Sequence, residues 1–172
     1  MRPDQLKPYL RRKMLTALSQ SMTAVANEAV NWTGDRFRHQ NWIDTTPEPW
    51  QPRNPNAKRN LGRKILIDTA RLFRSTRIFS QSGTGFKYGS DVLYAGVHNW
   101  GLTITRHARS ETFRRNRSRS GKFKKGTTPG RGLTFKAGSF QMPKRQSLGN
   151  SAHLRNILRR RAQVEIIRRM RA

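Results

Sequence analysis

A basic segment in the second half of the chain, residues 106–132, most limits what this sequence can fold into. It holds ten lysines and arginines, a single acid (Glu111), and only Phe113 and Phe123 as large apolar side chains. Such a segment cannot bury enough apolar surface to offset the entropy lost on ordering it. We therefore predict a mobile arm or a long hairpin in the free protein, with the folded core built from the residues on either side.

The charge of the whole chain indicates what kind of partner it needs. It carries 36 Lys and Arg against 9 Asp and Glu, a net charge of +27. A free monomer of this charge repels itself, so we expect a polyanionic partner, with nucleic acid first and an acidic protein surface second. We expect no membrane partner, because the basic segments lack a strong apolar face and no apolar run reaches about 18 residues.

The candidate contacts for nucleic acid or an acidic partner are the cations of the basic segment. Phosphate neutralisation by such groups gives an affinity that falls steeply with salt and carries little sequence information. Phe113 and Phe123 can stack on bases or fill a protein groove, and a solvated surface remains the alternative for the whole run. The ten cations are Arg106, Arg109, Arg114, Arg115, Arg117, Arg119, Lys122, Lys124, Lys125 and Arg131.

Two long helices are predicted at the ends of the chain. Residues 5–40 place apolar side chains at three- and four-residue steps, from Leu6 through Leu10 and Met14 to Ala29. Gly34 should end or bend that helix, unless Phe37 carries the apolar stripe further. Residues 152–171 form a basic amphipathic helix with Ser151 as its cap.

The middle of the chain reads as short elements. Residues 44–62 are proline- and asparagine-rich and predict an extended loop, pinned by Trp42 and Trp50 at its ends. A short helix over 70–75, capped by Asp68 or Thr69, is followed by a strand over 75–80, a turn at "SGTG" and a return strand over 86–90. Residues 91–100 predict a helix that Gly101 stops, and 102–105 and 133–142 predict strands.

These elements predict an α+β fold in one domain, residues 1–172. An antiparallel sheet built from residues 75–90, 102–105 and 133–142 packs against the N-terminal helix, while the basic arm and the C-terminal helix project. Within it we distinguish an N-terminal helical region (1–43), an α+β core (44–105 with 133–150), the basic arm (106–132) and the C-terminal helix (151–172).

Catalytic chemistry has little support in the sequence. The four histidines lie far apart, none in a spacing that puts two metal ligands on one helix face, and "SGTGFKYG" lacks the Lys-Ser/Thr of a phosphate-binding loop. Cysteine is absent, which excludes thiolate sites. His98 beside Asp91 is the one candidate general base, and a nuclease is the one enzyme class that stays open. We favour the alternative that His98 is a half-buried histidine bonded to a backbone carbonyl. We expect no metal, no cofactor and no enzyme activity.

Four motifs in order resemble a known family. "PEPWQP", "ILIDTARL", "GSDVLYAGVHNWG" and "MPKRQSLG" resemble the corresponding motifs of the phage virion-morphogenesis (tail-completion, Mu-like) proteins and the related head–tail joining proteins. The resemblance spans residues 50–149, with the basic arm occupying the loop before the last motif. The family pattern falls on Trp50, Asp68, Thr69, Arg71, Leu72, Tyr94, Ala95, His98, Gly101, Pro143, Arg145 and Gly149.

The resemblance implies that these residues shape the fold and the subunit contacts, without catalysis. It implies a virion protein at the head–tail junction, assembled in the cytoplasm of the bacterial host as a ring of about six copies around the DNA channel. Its partners would be its own copies, the head connector, the tail terminator or tube proteins, and genomic DNA in the lumen. Ala70 replaces a usual glycine, which favours helix over a positive φ there, and "RQSLG" lacks the usual Pro-Phe pair. The alternative is a free nucleic-acid-binding protein associated with packaging or regulation.

Overall fold

A computed structural model describes residues 3–53, 64–110 and 134–171 of the chain. The described part is mixed α+β, as predicted. Its elements in chain order are α1 (Pro3–His39), β1 (Asn41–Ile43), β2 (Pro47–Pro49), α2 (Arg71–Arg74), β3 (Thr76–Gln81), β4 (Phe86–Ser90), α3 (Ala95–Trp100), β5 (Thr103–Arg106), β6 (Arg109–Ser110), β7 (Thr134–Phe135), β8 (Gly138–Gln141) and α4 (Ala152–Arg171).

The chain divides into two compact units. The first comprises residues 1–101 and 143–172, and the second residues 102–142. In the second unit β5 pairs with β8 and β6 with β7, both antiparallel. The first unit holds all four helices and the hairpins β1–β2 and β3–β4. The assignment of the chain to a single domain stays a prediction.

Helix α1 organises the first unit and spans the predicted residues 5–40 to within two positions at either end, but neither an end at Gly34 nor a packed first half is found. It runs through Gly34 to His39 because Phe37, only 1 % exposed, continues the buried face past the glycine. It ends at Gln40, whose backbone adopts a left-handed conformation (φ 53°). Leu6, Leu10 and Met14 were predicted to pack, but they are exposed; the buried face of α1 begins at Ala17.

Helix α4 packs antiparallel along α1, so the prediction that it projects was wrong. Leu154 joins Ala29, Trp32 and Trp42 in one buried cluster near the start of α4, and Arg169 near its end lies against Gln20. The first turns of α1 therefore extend past the end of α4, which explains why their apolar side chains stay exposed in the described part of the chain.

Ser151 caps α4 as predicted. Its Oγ accepts a hydrogen bond from the Leu154 amide at 3.0 Å and donates one to the Ile43 carbonyl at 2.7 Å. The Asp44 carboxylate accepts a second bond, from the Ala152 amide at 2.7 Å. Both contacts tie the start of α4 to the end of β1.

The single predicted sheet is replaced by separate two-stranded ladders in the described residues. β3 and β4 form the predicted hairpin, which packs on α1 and carries a bulge between Ile78 and Ser80. Residues 91–101 then turn and form α3 before β5 begins, so β5 pairs with β8 and not with β4. Residues 44–53 also depart from a plain loop, since Pro47–Pro49 pairs with Asn41–Ile43. None of the described helices is long and apolar enough to cross a membrane.

Candidate functional site

The Trp50 loop is fixed from two sides. The Trp50 indole packs edge-on against Phe37, with ring centroids 5.5 Å apart, in a buried cluster with Ile65, Leu72 and Val92. Its Nε1–H donates to the Gln146 carbonyl at 2.8 Å. Trp42, in β1 opposite Glu48, packs edge-on against Trp32 at 5.4 Å. Both tryptophans are therefore anchors, as predicted.

Residues 143–149, which we call the C-terminal clasp, close over the end of α3. The Arg145 amide donates to the His98 carbonyl at 2.8 Å. The Oδ1 of Asn99 accepts two bonds, from the Ser147 and Leu148 amides, both at 2.9 Å. Three backbone N–H groups of the clasp are thus satisfied by two consecutive residues of α3.

Arg145 links the clasp to the Trp50 loop. Its Nε donates to the Gln51 carbonyl at 3.1 Å, and its Nη2 makes a longer contact with the Pro52 carbonyl at 3.4 Å. The residue is buried, and no carboxylate pairs with it in the described part of the chain. Burial, and then the neighbouring charge of Arg53, lowers the pKa of Arg145. A guanidinium bonded to backbone carbonyls in this way holds a loop in place.

His98 lies beneath the clasp and pairs with no acid among the described residues. Its ring lies edge-on to Tyr94 at 6.0 Å, and its Nδ1 is buried without a hydrogen-bond partner in the described structure. Burial, and then the charge of Arg145, lowers the pKa of His98. Asp91 instead pairs with Arg77 at 2.9 Å, so the proposed His98–Asp91 base does not form. The expected bond from His98 to a backbone carbonyl is also absent there.

The "IDTARL" motif folds differently from the prediction. The N-cap of α2 is Ala70, with no side-chain capping bond, so neither Asp68 nor Thr69 caps the helix. Ala70 has a φ of 56°, a left-handed conformation. The backbone therefore keeps the conformation that suits the family's usual glycine, although the residue here is alanine. Leu72 is buried in the Trp50 cluster, whereas Arg71 is exposed at the start of α2.

The glycines of the other motifs hold turns. Gly101 ends α3 in a left-handed conformation (φ 67°) and donates its N–H to the Val97 carbonyl, as predicted. Gly149 has a φ of 148°, and a Cβ there would lie 2.7 Å from the Gln146 Nε2. Pro143 begins the clasp immediately after residue 142.

Three large apolar side chains around α3 face outward, a feature that sequence reasoning missed. Leu93 is 99 % exposed, Trp100 59 % and Tyr94 41 %. They flank the site where the motifs converge, and we call them the α3 apolar surface. Large apolar side chains left exposed on either side of one short helix are typical of a surface that a partner covers. Asn99 was missed as well, because its role depends on a contact 48 residues away.

Most of the predicted cation contacts lie outside the described residues. Arg106, in β5, stacks over the Phe140 ring at 5.2 Å, and Arg109 lies in β6. The other eight, which lie outside the described residues, are Arg114, Arg115, Arg117, Arg119, Lys122, Lys124, Lys125 and Arg131. In the part of the chain that is described, no group of three His, Asp or Glu side chains is placed to hold a metal.

Comparison with known proteins agrees with the motif order. No curated protein and no solved structure matches the chain. Residues 4–164 match the phage virion morphogenesis family, a span that includes α1, all four motifs and most of α4. The chain therefore belongs to the phage virion morphogenesis family.

Proposed function

We propose that the protein completes the phage tail or joins it to the head at the neck, as a ring of about six copies around the DNA channel. Its family is a structural and assembly family of phage particles that is not known for enzyme activity, which makes the chain a virion-associated protein. The position at the neck, the ring and the absence of catalysis are the proposal. Head connector, tail terminator and tube proteins are the proposed partners.

The observation that carries the proposal is the α3 apolar surface beside a rigid motif cluster. Leu93, almost fully exposed, buries nothing within its own unit, so it contributes to stability only when another surface covers it. The polar side chains of the motifs are hydrogen-bonded to backbone atoms. Arg145 bonds to the Trp50 loop, and Asn99 bonds to the clasp. Such an arrangement builds a stiff platform for assembly.

The net charge supports a position where polyanions are present. A ring of chains that each carry +27 repels itself unless DNA in the lumen or acidic faces of neighbouring proteins neutralise it. Both are expected at the junction between a filled head and its tail.

The proposal is tested by asking which side chains assembly requires. Leu93→Ser should leave the free energy of unfolding within about 0.5 kcal/mol of wild type, because the side chain is almost fully exposed, and Trp100→Ala should lower it by no more than about 2 kcal/mol, because the indole is partly buried. Both should abolish association measured by light scattering with purified tails or connectors in about 0.5 M salt. Phe79→Ala, which removes a side chain of similar exposure (52 %) from β3, is the matched control and should assemble normally. Assembly by all three variants would contradict the proposal.

A second candidate is the free nucleic-acid-binding protein, favoured by the composition of α4. That helix carries seven arginines and one acid, Glu165. Such a protein would stay monomeric or dimeric, and it would release its partner in the same 0.5 M salt in which an assembly persists. The mass measured in that salt separates the two functions. A free binder should have a mass near 19.9 kDa or twice that, and a ring should have about six times that mass.

A further inference from the structure

An open cleft lies where the end of α4 meets the first half of α1. Its volume is about 330 Å³, within the range of ligand-binding clefts. Arg12, Lys13 and Thr16 contribute from α1, and Arg169 from α4. The cleft lies within the first compact unit and is formed by none of the four motifs.

The lining is cationic and rich in donors. Three cations face one small volume that no carboxylate lines. Neither Arg12 nor Lys13 has an ion-pair or hydrogen-bond partner among the described residues. The Nε of Arg169 is buried without a partner there, and its Nη1 makes only a long contact, 3.4 Å, with the Gln20 amide oxygen. Clustered like charges and an unpartnered buried donor raise the free energy of the unliganded fold.

We propose that this cleft binds a phosphodiester group of nucleic acid. A phosphate supplies charge and acceptor oxygens for the guanidinium groups of Arg12 and Arg169 and for the ammonium of Lys13. The hydroxyls of Tyr9 and Thr16 line the same volume and donate to further phosphate oxygens. The contact is to the backbone alone, so it carries no base preference.

The surrounding charge favours nucleic acid over an acidic protein. Glu165, the one acid of α4, already bridges Arg161 at 3.1 Å and Arg168 at 2.7 Å. Lys7 and Arg11 of α1 and Arg171 of α4 each lie within two residues of a residue that lines the cleft, and none of the three has an ion pair among the described residues. A phosphate backbone, which repeats its charge along a strand, matches such a field better than scattered carboxylates do.

The experiment compares two double variants of the full chain with equal loss of charge. Arg12→Gln with Lys13→Gln alters the cleft, and Arg155→Gln with Arg159→Gln removes two exposed cations from the other half of α4. Binding to a fluorescein-labelled DNA duplex of about 24 base pairs is measured by fluorescence anisotropy from 0.1 to 0.4 M KCl. The cleft variant should bind about tenfold more weakly in 0.1 M KCl, and the slope of log K against log salt should fall by about 0.9, the value for one lost phosphate contact. The control should weaken binding less than threefold.

Equal weakening by both double variants would overturn the proposal, because the affinity would then follow net charge and not this cleft. Unchanged binding by the cleft variant would overturn it too. Poly-glutamate that displaces the duplex at equal charge concentration would assign the cleft to acidic protein instead. The inference does not depend on the proposed position at the neck, since Leu93→Ser and Trp100→Ala leave this cleft intact.

Discussion

Asn99 should contribute more to stability than any other polar side chain of the motif cluster. It is only 6 % exposed, and its single Oδ1 is the acceptor for both the Ser147 and Leu148 amides. Replacing it with alanine leaves both N–H groups without a partner. The Ser147 residue is buried and Leu148 is half-buried, so water can restore only part of the second bond.

The expected cost follows from these two amides. A buried donor left unsatisfied costs about 1–3 kcal/mol, and partial hydration of Leu148 places the sum at about 3 kcal/mol. For a chain of this size that lowers Tm by about 10 °C. Asn99→Asp keeps the acceptor, so it should lose less than half as much.

Urea unfolding followed by tryptophan fluorescence measures this directly, because the Trp50 indole is bonded to Gln146 of the clasp. A loss below about 0.5 kcal/mol for Asn99→Ala would refute the role of the two bonds. Equal losses for Asn99→Ala and Asn99→Asp would refute it as well, since they would show that packing and not the acceptor matters.

Three further variants test the backbone and the titration of the same unit. Gly34→Ala should raise the free energy of unfolding, measured in urea, by about 1 kcal/mol, because alanine favours the helix interior more than glycine does. The new Cβ would lie 3.6 Å from the Phe73 ring, an ordinary van der Waals contact. Ala70→Gly should raise it by about 0.5–1 kcal/mol by relieving the left-handed backbone, and a loss would show that the φ of 56° is not strained. The pKa of His98 lies below the ordinary 6.5, so on acidification the unfolded chain binds a proton before the folded protein does. The free energy of unfolding should therefore fall as the pH drops below about 6.5. His98→Gln should make this fall smaller.

Local signals in the sequence predicted several elements closely. The strand Phe86–Ser90 follows from its "SGTG" turn, the end of α3 from Gly101, and the start of α4 from Ser151. Each depends on residues within a few positions of one another. Turn and capping chemistry acts over such distances, so a single sequence is enough to predict it.

The missed features depend on distant contacts or on unusual backbone. The partner of Asn99 lies 48 residues away, and the pairing of β5 with β8 joins segments more than 30 residues apart. Gln40 and Ala70 adopt left-handed conformations that neither side chain favours, so their sequence predicts helix where the chain turns. The exposure of Leu6 depends on where α4 ends, which no periodicity within α1 reveals.

Deleting this gene from the parent phage and imaging the lysate by electron microscopy shows whether complete particles form without the protein. We expect DNA-filled heads lying apart from tails, and we expect the wild-type gene, but not the Trp100→Ala gene, to restore joined particles. Normal joined particles from the deletion would contradict a role in tail completion or head–tail joining, and empty heads would assign the protein to packaging instead.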